Sequence, residues 1–364
     1  MRQKSQRVSI VYFAILLIFT AQILSINALA EEKATIESVA PVTLRWTERE
    51  SPRGIRSKIM LWMGKEIEKR TNGRIKIQID WKSTATTGQE ILQTTMTGAS
   101  DMGTIDVGDY PSQLPTWGVF NTFMIGPSTA VVVSKIERTC FETIPAFNAE
   151  LQRWNQRWIT FFNYLPSAIS LNKPIDSIED LTGQRIMAFS SWQRLMLNAI
   201  DVSAVSVADG AFYATLNRGA IDGALTSLDR HFNNYTNEIA NNYLFSKKHW
   251  QPQPILVTVN LEVWNRILEE DRNKILAIGK RASQLQNKLN SDYWDLCKNE
   301  IKMRANAVFT QMSEEELNAW ANLPNVEALP RQWVTEASSA GFPADEILNQ
   351  VKENIKKGLA EDVK

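Results

Sequence analysis

The run Asn172-Lys173-Pro174-Ile175, Ser177-Ile178-Glu179-Asp180-Leu181-Thr182-Gly183, Gln184-Arg185-Ile186-Met187-Ala188 decides the fold. Proline disfavours helix at the residue before it, so the chain starts afresh at Pro174. Ser177 caps a short helical turn with two acids in it, and Gly183 ends that turn. Gln184 to Ala188 then reads as a strand, and Ser191 to Ser203 as a helix. A second helix runs from Gly210 to Gly219, with the glycine as its C-cap. It leads directly into Ala220-Ile221-Asp222-Gly223-Ala224-Leu225-Thr226-Ser227-Leu228. Strand, helix and strand in this order make a βαβ unit. In open α/β sheets ligands lie off the carboxyl ends of the strands, and Met187 and Thr226 stand at two such ends.

Upstream, the same grammar repeats. Val42 to Thr47 alternates as a strand, and a helix is expected from about Arg53 to Thr71, closed by Asn72-Gly73. Ile75, Ile77, Ile79 and Trp81 alternate on a second strand. Gln89 to Thr97 is expected to be helical, with Gly98 as its stop, and Met102 to Asp106 is a third strand. Two βαβ-rich segments, one early and one beginning near Pro166, predict two α/β lobes with a cleft between them. Downstream, Glu269 to Arg304 is continuously helical in pattern, on the order of 50 Å long at 1.5 Å per residue. Asn306 to Met312 reads as a strand, and Ser313-Glu314-Glu315-Glu316 as a capping box. Helices follow around 331–340 and 345–357.

The 364 residues are 44% hydrophobic and 22% charged, enough apolar material for two cores. The first thirty residues look like an export leader: Arg2, Lys4 and Arg7, an apolar run from Val8 to Leu24, then Ala28-Leu29-Ala30. No stretch beyond the leader is apolar enough to span a membrane. Without the leader, 37 basic residues face 40 acidic ones, and no basic excess points to nucleic acid. Cys140 and Cys297 are the two cysteines. They exclude a Cys-x-x-Cys metal site and leave both a long-range disulfide and two free thiols open. His231 and His249 are the two histidines, and neither stands in a metal-ligand or triad spacing. No glycine-rich phosphate loop is present. No catalytic residue, metal ligand or cofactor is therefore assigned, and the chain is read as a non-enzyme.

Pro174-Ile175, Glu179-Asp180-Leu181-Thr182-Gly183 and Gly219-Ala220-Ile221-Asp222-Gly223, in this order and spacing, resemble the solute-binding proteins of TRAP (tripartite ATP-independent periplasmic) transporters. The resemblance extends from about Val42 to the C-terminus, through Asn72-Gly73-Arg74-Ile75 and Gly98-Ala99-Ser100-Asp101-Met102. It implies a two-lobed periplasmic binding protein fold, each lobe a sheet flanked by helices, with the ligand cleft between them. A long helix braces both lobes in such proteins, and 269–304 is the candidate here. The expected plan is a signal peptide at 1–30, a first lobe at 31–165 completed by part of 253–364, and a second lobe at 166–252. A C-terminal strand and helices occupy 305–364. The implied partners are a small organic solute, an organic acid or related compound, and a TRAP-type membrane permease, with the protein periplasmic. A ligand-binding module for a signalling receptor is the alternative.

The site positions that the resemblance implies depart from its usual pattern. An arginine on the strand after Asp-Leu-x-Gly usually clamps the ligand carboxylate, and Met187 stands there. A second arginine position falls on Pro166, and the polar pair after Asp-Gly falls on Leu225 and Thr226. An arginine fork matches a carboxylate with two charge-assisted hydrogen bonds, which methionine does not supply. In one reading the clamp has moved to Arg49, in the loop after the first strand, with Arg53 close behind. In the other the solute is not a conventional carboxylate, and Met187, Phe189 and Trp192 form an aromatic, polarizable wall. Asp106 at the end of the third strand, Thr87 in the loop after Trp81, and Trp250 beside His249 complete the expected contacts.

Overall fold

A computed structural model describes residues 40–50, 52–81, 90–250 and 254–362. The leader and Thr87 lie outside them. The first part of the chain forms β1 (Val42–Glu48), α1 (Gly54–Arg70), β2 (Ile75–Trp81), α2 (Ile91–Met96), β3 (Met102–Asp106), α3 (Ala130–Thr143), α4 (Pro145–Arg153) and β4 (Gln156–Asn163). After a crossover come β5 (Ser167–Leu171), β6 (Arg185–Ala188), α5 (Ser191–Asn198), β7 (Ser203–Val205), α6 (Phe212–Asn217), β8 (Gly223–Ser227), α7 (Leu228–Asn233) and β9 (Asn242–Phe245). The chain then returns through β10 (Pro254–Asn260), α8 (Leu261–Arg266) and α9 (Glu269–Ala305). It ends with β11 (Val308–Gln311), α10 (Glu314–Ala321), α11 (Pro324–Glu327), α12 (Leu329–Ser339) and α13 (Ala344–Asp362).

Two mixed sheets result. One has the order β2-β1-β3-β10-β4, the other β11-β9-β5-β8-β6-β7. In the first, β1 runs parallel to β2 and β3, and β10 is antiparallel to β3 and β4. In the second, β6 runs parallel to β7 and β8, whereas β5 is antiparallel to β8 and β9. The 37 residues of α9 cover about 55 Å and serve both sheets. Ile275, Ile278 and Ala282 pack with Trp46, Met60 and Val257 under the first sheet. Further along, Trp294, Cys297 and Ile301 pack with Tyr243 and Leu228 under the second. Arg74, which leads into β2, is buried and forks onto Asp271 in the first turn of α9 at 2.9 and 2.7 Å.

The motif residues have separable jobs. Gly219 closes α6 with φ of +68°, in the left-handed region where glycine carries no steric cost. Asp222 then takes the Arg185 guanidinium at 3.0 and 2.7 Å and the Arg185 N–H at 2.8 Å, tying the start of β8 to β6. Gly223 is a steric requirement: a Cβ there would stand 1.8 Å from the Ser170 carbonyl oxygen of β5. The Ser177–Asp180 capping box holds the 3-10 turn Ile178–Leu181.

One expected element is shorter than its pattern. The helix expected over 191–203 stops at Asn198, because Asp201 adopts φ of +58° and its carbonyl accepts from the Gly183 N–H at 2.8 Å. Ser203 then opens the edge strand β7 against Arg185. Cys140 and Cys297 are both buried free thiols, in different cores. Among the described residues no helix is long and apolar enough to cross a membrane.

Candidate functional site

Polar side chains from both sheets converge on Tyr164, in the crossover between β4 and β5. From the first sheet, Arg49 follows β1 and Asp106 ends β3. The Arg49 guanidinium donates to Asp106 Oδ2 at 2.9 Å, to Asp109 and to the Tyr164 hydroxyl at 3.2 Å. The Tyr164 hydroxyl donates in turn to Asp106 Oδ2 at 2.7 Å. Asp106 Oδ1 accepts the Gly108 N–H at 3.2 Å, so the same carboxylate also caps the turn after β3. Arg56, in the first turn of α1, pairs with Glu50 at 2.6 Å and lies 5.6 Å from the centre of the Tyr164 ring.

From the second sheet comes Arg230, in α7 just past the end of β8. Its guanidinium lies 4.0 Å from the centre of the Phe189 ring and 5.1 Å from that of Tyr164. Such stacking is attractive because the ring faces are electron-rich. Phe189 follows β6 and β8 is the strand beside it, so the two partners arrive from adjacent strand ends. Burial works to raise the Glu50 carboxyl, yet Arg56, Arg230 and Arg49 outweigh it and hold the carboxyl down at about 2. For Glu48 and Asp229 burial wins, and both carboxyls are pushed up. Burial also raises the Tyr164 phenol, keeping it a neutral donor.

The structure thus brings together Arg49, Asp106 and Phe189 of the residues singled out in sequence, and places Met187, Trp192, Thr226 and Trp250 elsewhere; Thr87 lies outside the described residues. Met187 is fully buried with Phe212, Leu216, Ile221 and Ala224, inside the second lobe rather than in a cleft wall. Trp192 is buried in the large core and borders a small cavity with Val107, Gly118 and Trp333. Thr226 is buried within β8 opposite Ala168. Trp250 packs its ring on Gly126 and lines a separate cavity of about 70 Å³ with Asn163 and Tyr164. Arg230, Arg56 and Tyr164 were not singled out. The available signal was positional: Asp229-Arg230 is the first polar pair after the end of β8. Among the described residues no three His, Cys, Asp or Glu side chains converge as a metal site requires.

Two α/β lobes spanned by a long helix, with guanidinium, carboxylate and aromatic groups meeting between their strand ends, define the class of two-lobed binding proteins. The chain belongs to the bacterial extracellular solute-binding protein family 7, whose model matches residues 50–327. A solute-binding protein of Albidiferax ferrireducens is 21% identical over 266 residues, covering 71% of this chain and 75% of its own length. Among solved structures, a marine metagenome TRAP solute-binding protein in complex with 3-hydroxybenzoate superposes with a TM-score of 0.75 at 19% identity, over 87% of this chain and 99% of that one. A TRAP periplasmic protein of Chromohalobacter salexigens with bound D-glucuronate gives 0.74 at 18% identity, over 85% and 99% of the two chains. The fold is shared with both.

Proposed function

We propose that this protein captures a small organic solute bearing an acid group between its two lobes, outside the cytoplasm, and delivers it to a TRAP-type membrane permease without chemical change. The observation that carries the reading is the meeting of Arg49 and Arg230 at Tyr164, one guanidinium from each lobe. A solute touching both lobes binds the closed arrangement better than the open one, and that difference drives closure. Family membership and the acids held by the two structural relatives support the solute class. The arginine absent at Met187 has a substitute in this reading. Arg230 stands in α7, just past the end of the strand next to Met187, and brings a guanidinium to the side where the methionine has none.

The test is a thermal-shift and calorimetric screen of the purified protein against organic acids, sugar acids, polyols and amines. A true ligand at about a hundred times its Kd stabilises the protein by about 2.7 kcal/mol. Arg230→Ala is expected to weaken binding of an acid by about 2–5 kcal/mol, because a desolvated carboxylate loses its charge partner. Acid binding undiminished in Arg230→Ala removes the clamp assignment, and a screen with no hit in any class removes the solute-binding reading.

A further inference from the structure

The guanidinium groups that meet at Tyr164 already face carboxylates of the chain itself. Arg49 donates to Asp106 at 2.9 Å and to Asp109, and Arg56 pairs with Glu50 at 2.6 Å. Arg230 reaches the same ground from the second lobe. Its guanidinium and that of Arg56 lie 5.1 and 5.6 Å from the centre of the Tyr164 ring. A solute that brings an acid group to this junction meets charge that is already answered. It must turn one of the resident carboxylates out.

Asp106 and Asp109 are not the ones to move. Asp106 is buried, accepts from the Tyr164 hydroxyl at 2.7 Å, and also accepts the Gly108 N–H at 3.2 Å. Asp109 shares the Arg49 guanidinium with it. Glu50 differs on each count. It stands in the loop just past β1, and its side chain is 39% exposed, so it has a way out to water. Among the described residues its carboxylate makes one ion pair, to Arg56. The other acid beside Arg56 is Glu48, at 3.8 Å, and burial pushes that carboxyl up. Glu50 stays ionised: burial works to raise it, but Arg56, Arg230 and Arg49 hold it down at about 2.

Glu50 is thus a negative charge answered by guanidinium groups of both lobes, which is what the solute-binding reading asks of the solute's own acid. We propose that Glu50 is a resident stand-in for the acid group of the solute, and that the solute binds by displacing its carboxylate from the Arg56 guanidinium. The proposal rests on the solute-binding reading above and adds a competitor built into the site. Exchange of one carboxylate for another leaves the number of charge pairs unchanged, so the pairing itself contributes little net affinity. Affinity then comes from the rest of the solute, lodged against both lobes. Small carboxylates, which have no such remainder, are kept out.

Glu50→Gln tests it, because it removes the competitor's charge and keeps its shape. Gluconate, glutarate and benzoate are titrated calorimetrically into the unmodified protein and the variant. Sorbitol, pentane-1,5-diol and benzyl alcohol serve as their uncharged counterparts. Acids that bind are expected to tighten about tenfold or more in the variant, the gain of one charge-assisted hydrogen bond, and the uncharged counterparts to stay as they were. Acid affinities that are unchanged or weaker in Glu50→Gln overturn the proposal and leave the solute-binding reading standing. So does an equal gain for the uncharged counterparts. If none of these probes binds either protein, Glu50→Ala decides, since it opens the anion position itself. Formate, compared with chloride at equal ionic strength, is then expected to raise the melting temperature of Glu50→Ala by about 3 °C or more and to leave the unmodified protein unmoved. No rise, or the same rise in both, overturns the proposal, while the solute-binding reading falls only if the wider screen described above is also empty.

Discussion

Arg49 is held in a bracket of two carboxylates and a phenol, and this bracket makes a testable claim about stability. Asp106 is 7% exposed and Asp109 25%, so both acids depend on the guanidinium to offset their lost hydration. Arg49→Met keeps the length of the side chain and removes the charge. It leaves Asp106 and Asp109 without the guanidinium they share. The expected loss is about 2–4 kcal/mol in urea unfolding, at the lower end because the site is not fully dry. A loss below about 0.5 kcal/mol would show the bracket to be a solvated ion pair. At this scale the sequence was half legible. Arg49 and Asp106, which the structure brings together, were singled out because they stand at strand ends, where α/β proteins place ligands. Met187 also ends a strand, but the alternation of β6 turns it into the core beneath α6. Arg230 was not singled out because it lies beyond its strand, where the helix turn rather than the strand sets its direction.

Elements with local causes were read correctly, as were the strands β1, β2, β3, β6, β8 and β11, whereas the antiparallel strands with distant partners were not. The long helix, the Ser313 capping box and the glycine stops are written in short-range pattern, and each stands where the pattern puts it. The antiparallel strands β4, β5, β9 and β10 carry no turn signal between partners, because those partners are distant in the chain. The edge strand β7 went unread for the same reason, with Ser203 given to the preceding helix: its three residues become a strand only against Arg185 to Met187. The Gly219-x-x-Asp222-Gly223 motif is where pattern and pairing meet, and it yields a contrast. Gly223→Ala forces a methyl against the backbone carbonyl of Ser170, 1.8 Å away, which neither strand can avoid without breaking the β5–β8 register. The expected cost is about 3 kcal/mol or more. Gly183→Ala meets nothing within 4 Å and bears only the strain of φ at +74°, about 1 kcal/mol. Equal melting losses for the two would mean that the close approach of β5 and β8 is not what the second glycine serves.

For the whole molecule, the junction between the lobes contains an acid that should set its alkaline limit. Glu137 of α3 is fully buried, and the Asn163 side chain donates to its carboxylate at 2.7 Å. Asn163 ends β4, and its backbone exchanges two hydrogen bonds with Gln286 of α9 at 3.0 and 2.9 Å. Crossover, α3 and bracing helix are thus locked at one residue. Burial pushes the Glu137 carboxyl up to about 8, from 4.5 in an exposed glutamate, with Asn163 and Arg138 opposing the shift only in part. A folded-state value raised above the unfolded one means that the native protein holds the extra proton. The stabilisation is complete below about pH 4.5 and is lost progressively as the pH climbs to about 8. The two histidines act in the opposite sense: burial lowers both to about 4, so their contribution is lost as the pH falls below about 6.5. Melting temperature should therefore peak on the acid side of neutrality and decline toward about pH 9, with several kcal/mol at stake for a fully buried carboxyl. Glu137→Gln keeps the acceptor for Asn163 and cannot ionise, so it should make the alkaline decline shallower, leaving the share supplied by the raised Glu48, Glu150 and Asp229 carboxyls, and should leave the acid limb in place. Melting curves for the two proteins that run parallel from about pH 6 to about pH 9 would mean that Glu137 ionises in the folded junction at little cost. Water must then reach the lock between the lobes, and the junction would already be open enough to hydrate before any solute binds.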